Sequence, residues 1–403
     1  MKIAIVSHTP LYKRSNGYEL LLTSIVRVFL NQKHDVKVFS LGKENKLIKQ
    51  RMYEEHIIKS PKMEESGFGL RRLYEFLILG WFGYRPSIEK INRSKKILSK
   101  LEEFNPDLIF VGEFTLIDLL AQYKKLHKRV RMITHSDSFS VIENSFGLIK
   151  PVDKTCKALE CLKYYAKIFI MENYFNYHMR QFEKMLKLCD VIIVPSVRDK
   201  RKIDIKFSFY AKKVKVIPLV LINRRESKIG KGVPIVKKIK KVLFLGAYNY
   251  WPNREAMGVI ENYVAPKLPG IEFLIQGKAC PKMKKGNVNY VGELALDQLD
   301  NLISECDAFI APMIQHTSIK TKILEYFLSG KPIVGTSEAF YGYPIKNRTN
   351  VMVERDPKKL YLSFIELNNN PKLIAKLQKN MKDVVSGMLP EKIESKFIKI
   401  IKI

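Results

Sequence analysis

Along this chain, short unbroken apolar runs alternate with longer stretches whose apolar residues return every three to four positions. The runs KIAIVSH (2–8), HDVKVFSLG (34–42), PDLIFVGE (106–113), VRMITHS (130–136), DVIIVPS (190–196) and VKVIPLV (214–220) occupy the first half. In the second half they are VLFLG (242–246), IEFLIQG (271–277), VNYVGEL (288–294), DAFIAP (307–312), KPIVGT (331–336) and NVMV (350–353). A continuous apolar run fits a strand covered on both faces, as in a parallel sheet. The intervening pattern is helical, as in ELLLTSIVRVFLNQ (19–32), which Gly17 opens. Strand and helix in alternation predict an α/β protein with mostly parallel sheets.

The rhythm breaks once. Asn223 to Lys240, NRRESKIGKGVPIVKKIK, carries charge, two glycines and a proline with neither period, the mark of a linker. A chain of 403 residues exceeds what one core supports, so two domains are expected. They span 1–222 and 241–370, with 223–240 between them and a helical segment, 371–403, expected to return to the first domain.

Composition narrows the partners. With 46% hydrophobic residues the chain can bury a sizeable core, and 71 basic against 40 acidic residues give a net charge of +31, a field that attracts polyanions. The basic residues lie in short groups such as RSKKILSK (93–100), without the interleaved aromatic strand of RNA-binding domains, which lowers the nucleic-acid reading. The stretch FGLRRLYEFLILGWFGY (68–84) is too short and too charged to span a bilayer. It suits either an interfacial helix or a core-facing one, and YYAKIFIMENYFNYHM (164–179) either continues that surface or packs across its domain. The opening lacks signal-peptide architecture, so a cytosolic protein, either free or peripheral on the inner membrane face, is expected. Five cysteines without C-x-x-C spacing read as buried free thiols, and no histidine pairing suggests a metal site. Walker, nucleophile-elbow and G-x-G-x-x-G motifs are missing, which removes the commonest nucleotidase, hydrolase and dinucleotide readings.

The segment Lys320 to Thr336, KTKILEYFLSGKPIVGT, carries the richest chemistry. Ile323, Leu324, Phe327 and Leu328 define one apolar helical face, and Gly330 supplies a left-handed end. Lys322 and Glu325 project from neighbouring points near the helix start, where the dipole favours anions. Isolated, such a pair is usually a solvated ion pair. Its place after a strand ending at Pro312 puts it where open α/β sheets bind ligands.

Here the chain resembles the family 4 glycosyltransferases of the GT-B fold, on Pro312, Thr317, Ser318, Lys322, Leu324, Glu325, Gly330, Pro332, Val334 and Thr336, with a Pro-Asn-x-x-Ala element at Pro252, Asn253 and Ala256. The resemblance implies two Rossmann-like domains facing a central cleft, and a retaining sugar transfer from a nucleotide-sugar donor to a glycan, lipid-linked or other acceptor, without a metal or cofactor. It implies donor diphosphate contacts at Gly246, Thr317, Ser318, Lys320 and Lys322, ribose contact at Glu325, and catalytic roles for Lys322 and His135. His135 ends an apolar strand before Ser136, Asp137 and Ser138, and by residues alone a plain structural histidine fits as well. Gly17 belongs to the acceptor-side loop, where Asn16-Gly17 replaces the family's double glycine. Thr317 stands where relatives carry a second glutamate, and Ala247-Tyr248 where they carry an arginine; Arg254 and Lys278 are the nearby substitutes. Two other readings stay open: a nucleotide-sugar epimerase of the same fold, and a noncatalytic polyanion-binding protein.

Overall fold

The continuous apolar runs become strands of two sheets, all of them inner except VKVIPLV and NVMV, which lie at the edges. The computed structural model describes residues 1–12, 17–42, 44–50, 53–59, 95–112, 116–136, 158–218, 235–314, 319–386 and 390–401. The chain divides into two compact units, Met1–Pro218 with Phe397–Ile403, and Leu219–Lys396. The aromatic stretch 68–84 lies outside the described residues.

In the first unit the order is β1 (Lys2–Ser7), α1 (Gly17–Asn31), β2 (Asp35–Gly42), β3 (Lys46–Lys49), β4 (Glu54–Lys59), α2 (Lys95–Phe104), β5 (Leu108–Val111), α3 (Ile117–Leu126), β6 (Arg131–His135), α4 (Ala158–Leu188), β7 (Val191–Val194), α5 (Val197–Lys206) and β8 (Val214–Val216). The eight strands run β3-β4-β2-β1-β5-β6-β7-β8, parallel except for β3. Every residue of β5 and β7 is buried, as covering both faces with helices requires.

The second unit contains β9 (Lys241–Leu245), α6 (Trp251–Val259), β10 (Glu272–Gln276), β11 (Lys282–Lys285), β12 (Val288–Gly292), α7 (Leu296–Glu305), β13 (Ala308–Ala311), α8 (Thr321–Ser329), β14 (Ile333–Gly335), β15 (Met352–Val353), α9 (Leu360–Asn369), α10 (Pro371–Ser386) and α11 (Pro390–Ile401). Its strand order is β11-β12-β10-β9-β13-β14-β15, with only β11 antiparallel. In each sheet the order reverses about the first strand, so the loops leaving β9 and β13 diverge and open a crevice at their carboxyl ends.

The apolar runs did not announce β3, β4 or β11. KLIK and KMKK are edge strands, mostly exposed, whose lysines discourage pairing with another chain.

Two boundaries differ from expectation. The segment expected to begin at 371 is divided: Leu373, Ile374, Leu377 and Met381 of α10 are buried, and Gln378 and Asn380 donate to the carbonyls of Gly330 (3.2 Å) and Thr349 (3.0 Å), which makes α10 part of the second unit. Only from Phe397 does the chain belong to the first, where that ring meets Phe29 at 5.9 Å and Phe110 at 6.3 Å. The described end of the linker is also ordered on the second unit, because Val236 and Ile239 are buried and donate N–H bonds to Gln378 and Asn368.

Lys331, in the Gly-Lys-Pro turn, is a structural residue. Its buried ammonium donates to the carbonyls of Ile303 (2.8 Å), Ser304 (2.7 Å) and Cys306, closing the carboxyl end of α7, where orphan carbonyls and the negative dipole end favour a cation. Lys331→Met keeps the aliphatic stem and removes the ammonium. It should lower the stability of the second unit by about 2 kcal/mol, read as an earlier urea midpoint; an unchanged midpoint would show that α7 needs no such cap.

Candidate functional site

The crevice of the second unit is shaped first by backbone. Gly246 N–H donates to Gln276 C=O at 2.8 Å just beyond β9. A Cβ on Gly277 would collide with the Gly246 carbonyl, so the exits of β9 and β10 approach as closely as glycine allows. The chain then turns through Ala247–Tyr250 into α6, with Pro252 in its first turn. On the other side, β13 exits through Pro312 and Met313, and Thr336 Oγ1 donates to the Met313 carbonyl at 2.5 Å.

Helix α8 forms as its spacing predicts, with Gly330 at φ 70° ending it. Its buried face differs in one place: Tyr326 is fully buried and Leu328 only partly. The Tyr326 ring stacks on Phe309 with centroids 4.2 Å apart, and its phenol oxygen accepts the Leu245 N–H at 2.8 Å. A hydroxyl at the end of a large ring thus satisfies a strand-end donor that leucine could not.

Lys322, in the first turn of α8, directs its ammonium at Asn253. Nζ donates to Asn253 Oδ1 at 2.7 Å and lies 4.3 Å from the centroid of the Phe244 ring and 4.0 Å from Met313 Sδ. Burial, then the neighbouring Lys320, push its pKa down to about 7, with Glu325 opposing. Lys320 is the N-cap residue; it donates to the Glu338 carbonyl at 2.8 Å, while its own carbonyl accepts the Tyr343 hydroxyl at 2.9 Å. Burial lowers its pKa to about 8 against the pull of Glu338. Glu325 sits one turn on, half-buried, as an attractive charge for Lys322. Two cations beside a helix start and a glycine turn form a place for an anion.

Gly246 has a more specific use than close approach of a ligand. A Cβ there would lie 2.7 Å from Asn253 Cγ, so the vacant side-chain position is filled by the Asn253 carboxamide. Thr317 and Ser318, and His316 between the same segments, lie outside the described residues. Arg254 and Lys278 are both exposed; the Lys278 carbonyl accepts the Tyr248 N–H at 2.9 Å.

In the first unit His135 is the last residue of β6 and is buried; among the described residues neither its Nε2 nor the buried Oγ of Ser136 has a hydrogen-bond partner. Such atoms are costly unless something else satisfies them. Burial lowers the His135 pKa to about 4, with Asp199 opposing, so the imidazole is neutral at pH 7. Asp199 itself accepts the Ser196 hydroxyl at 2.5 Å at the start of α5. Gly17 is the first residue of α1, and residues 13–16 before it lie outside the described set.

Sequence reasoning missed Glu55. Fully buried on β4, its carboxylate accepts the N–H groups of Leu11 (2.7 Å) and Tyr12 (3.0 Å) and the Ser40 hydroxyl (2.8 Å), which pins the chain leaving β1. Burial raises its pKa against those hydrogen bonds. The pairing of Asn253 with Lys322 was also illegible, since 69 residues separate them. Among the described residues no group of three His, Cys, Asp or Glu is placed to hold a metal ion, and no helix is long and apolar enough to cross a membrane.

Residues 239–370 match the family model described as "Glycosyl transferases group 1". No curated protein sequence matches the chain. Among solved structures, sucrose-phosphate synthase from Thermosynechococcus elongatus superposes with a TM-score of 0.67 at 12% identity, over 100% of this chain and 98% of that one. The Anabaena protein Alr3699/HepE in complex with UDP and glucose gives 0.64 at 14% identity, over 100% and 99%. The catalytic domain of starch synthase IV from Arabidopsis thaliana, bound to ADP and acarbose, gives 0.61 at 10%, over 99% and 98%. At such identities the structures speak for fold, and the family model speaks for the segment around Lys322. The segment 239–370 is therefore similar to the glycosyl transferases group 1, on a chain that has the GT-B fold.

Proposed function

We propose that this protein is a glycosyltransferase that moves a hexose from a nucleoside-diphosphate sugar to a glycan or lipid-linked acceptor with retention of configuration. The observation that carries the reading is the enclosed ammonium of Lys322, held at the carboxyl end of β9 and β13 within the segment that matches the family model. The complexes of a similarly folded protein with UDP and glucose support a nucleotide-sugar donor.

In this reading the donor diphosphate lies against Lys322 and Lys320 near the start of α8, with Thr317 and Ser318 contributing, and Glu325 takes the ribose hydroxyls. As the sugar leaves, negative charge accumulates on the diphosphate, and a preorganised buried cation stabilises it more than the ground state. The lowered pKa of Lys322 suits this role: an arriving phosphate is the opposite charge that returns the amine to its ammonium form. In the first unit His135 is the group we assign to the sugar; neutral at pH 7, it donates or accepts one hydrogen bond without adding charge. No residue is assigned to metal binding. The net charge of +31 favours work beside an anionic membrane surface on the cytosolic side.

Lys322→Ala should reduce release of UDP or GDP from the matching nucleotide sugar by roughly 10²–10³-fold, with melting temperature retained; undiminished release would remove Lys322 from the site.

The pH dependence follows from the sign of the shift. Lys322 is an ammonium below about 7 and a neutral amine above, so its contribution to UDP binding should fade as pH rises through that value. Lys322→Arg stays charged throughout. The ratio of wild-type to arginine-variant Kd for UDP, measured by calorimetry, should therefore climb between pH 6 and pH 8.5, and a flat ratio would contradict a titrating lysine.

A further inference from the structure

We propose that Asn253 is the positioning residue of the phosphate site, tying the Lys322 ammonium to the Gly246–Ala247 turn so that cation and turn meet the diphosphate as one unit. The inference rests on the donor-site reading and adds to it the residue that sets where the cation stands.

The carboxamide is used at both ends. Oδ1 accepts from Lys322 Nζ at 2.7 Å, and Nδ2 donates to the Ala247 carbonyl at 3.0 Å. Its carbon occupies the space a Cβ on Gly246 would need, and the residue is buried in the first turn of α6. An ammonium offers only donors and a carbonyl only acceptance, so a bridge between them needs an acceptor on one side and a donor on the other. Asparagine supplies both on a side chain too short to reorient. Aspartate would face the Ala247 carbonyl with a second acceptor, and alanine would leave both partners without the bridge. Gly246 and Asn253 are therefore specified together: the glycine makes room for the amide, and the amide holds the lysine.

Among the described residues, the remaining surroundings of Lys322 leave this task to Asn253. From β9 the ring of Phe244 lies against the ammonium, and from the exit of β13 the sulfur of Met313; neither titrates. Among the described residues the charged groups acting on it are Lys320, which repels, and Glu325, which attracts. The aromatic face and the sulfur steer weakly, whereas a charge-assisted hydrogen bond is directional. Removing its oxygen leaves an enclosed cation with less to stabilise its charged form, so the amine loses its proton at lower pH.

The test is calorimetric titration of UDP into the full-length protein at several pH values from 6 to 9. It compares wild type with Asn253→Ala, Asn253→Asp, Gly246→Ala, the Gly246→Ala/Asn253→Ala pair and Lys322→Ala, each checked for a cooperative melt. Asn253→Ala should weaken UDP binding roughly tenfold at pH 7.5 and move the alkaline limit of binding toward acid. Asn253→Asp, which keeps an oxygen for the ammonium and adds a charge, should move that limit the other way. Gly246→Ala, by displacing the amide, should mimic Asn253→Ala, and the double variant should be no weaker than either single one, the signature of residues acting through one another. If Lys322→Ala abolishes binding while the Asn253 variants keep the wild-type affinity and pH limit, or if the two losses simply add, Asn253 does not position the lysine and the donor site stands without it. If Lys322→Ala binds UDP as the wild type does, the donor-site reading fails, and this inference with it.

Discussion

The organisation of the second unit hangs on how closely two strand exits can approach. Gly277 lies against the carbonyl of Gly246, and no side chain fits between them. That contact leaves the turn after β9 tight and the position above Gly246 empty of side chain, which is where Asn253 inserts. Asn253 receives Lys322, and Lys322 belongs to a helix whose Tyr326 hydroxyl closes the last strand donor of β9. Each step uses the space or the hydrogen-bonding group that the step before leaves open, so the site is built on the closure of the sheet.

The segment Lys320 to Thr336 shows how far sequence reading reaches. Its helix, its glycine stop and its following strand were legible, because periodicity and a left-handed glycine are local properties. The division of labour among its three lysines was not. Lys320 binds a carbonyl 18 residues on, Lys322 an amide 69 residues back, and Lys331 the end of a helix 25 to 28 residues back. The first two stand at the start of α8 beside the crevice while the third caps α7, and nothing within the segment distinguishes them. The same limit explains Leu328 and Tyr326: helical spacing identifies a face, but the depth of burial along it depends on what lies opposite, here Phe309.

In the first unit the central strands are legible in the sequence and the marginal ones are not. β1, β5, β6 and β7 are covered on both faces and so carry unbroken apolar runs, whereas β3 and β4 mix lysine, glutamate and histidine with isoleucine. Glu55 was invisible for that reason. A wholly buried carboxylate among exposed-looking charges holds two backbone N–H groups of the segment after β1. The place of His135 at a strand end is legible in the sequence; that its Nε2 and the adjacent Ser136 Oγ are buried without a hydrogen-bond partner among the described residues is a feature only coordinates reveal.

The membership of Phe397 in the first unit bears on the order in which the protein is made. Phe29 and Phe110 lie early in the chain, yet the ring that packs against both arrives only after the whole second unit has been synthesised. Domains generally fold as the ribosome releases them, the amino-terminal one first. Here the contact of those two rings with Phe397 can form only once residue 397 emerges, so the unit that is begun first receives its last packing partner last.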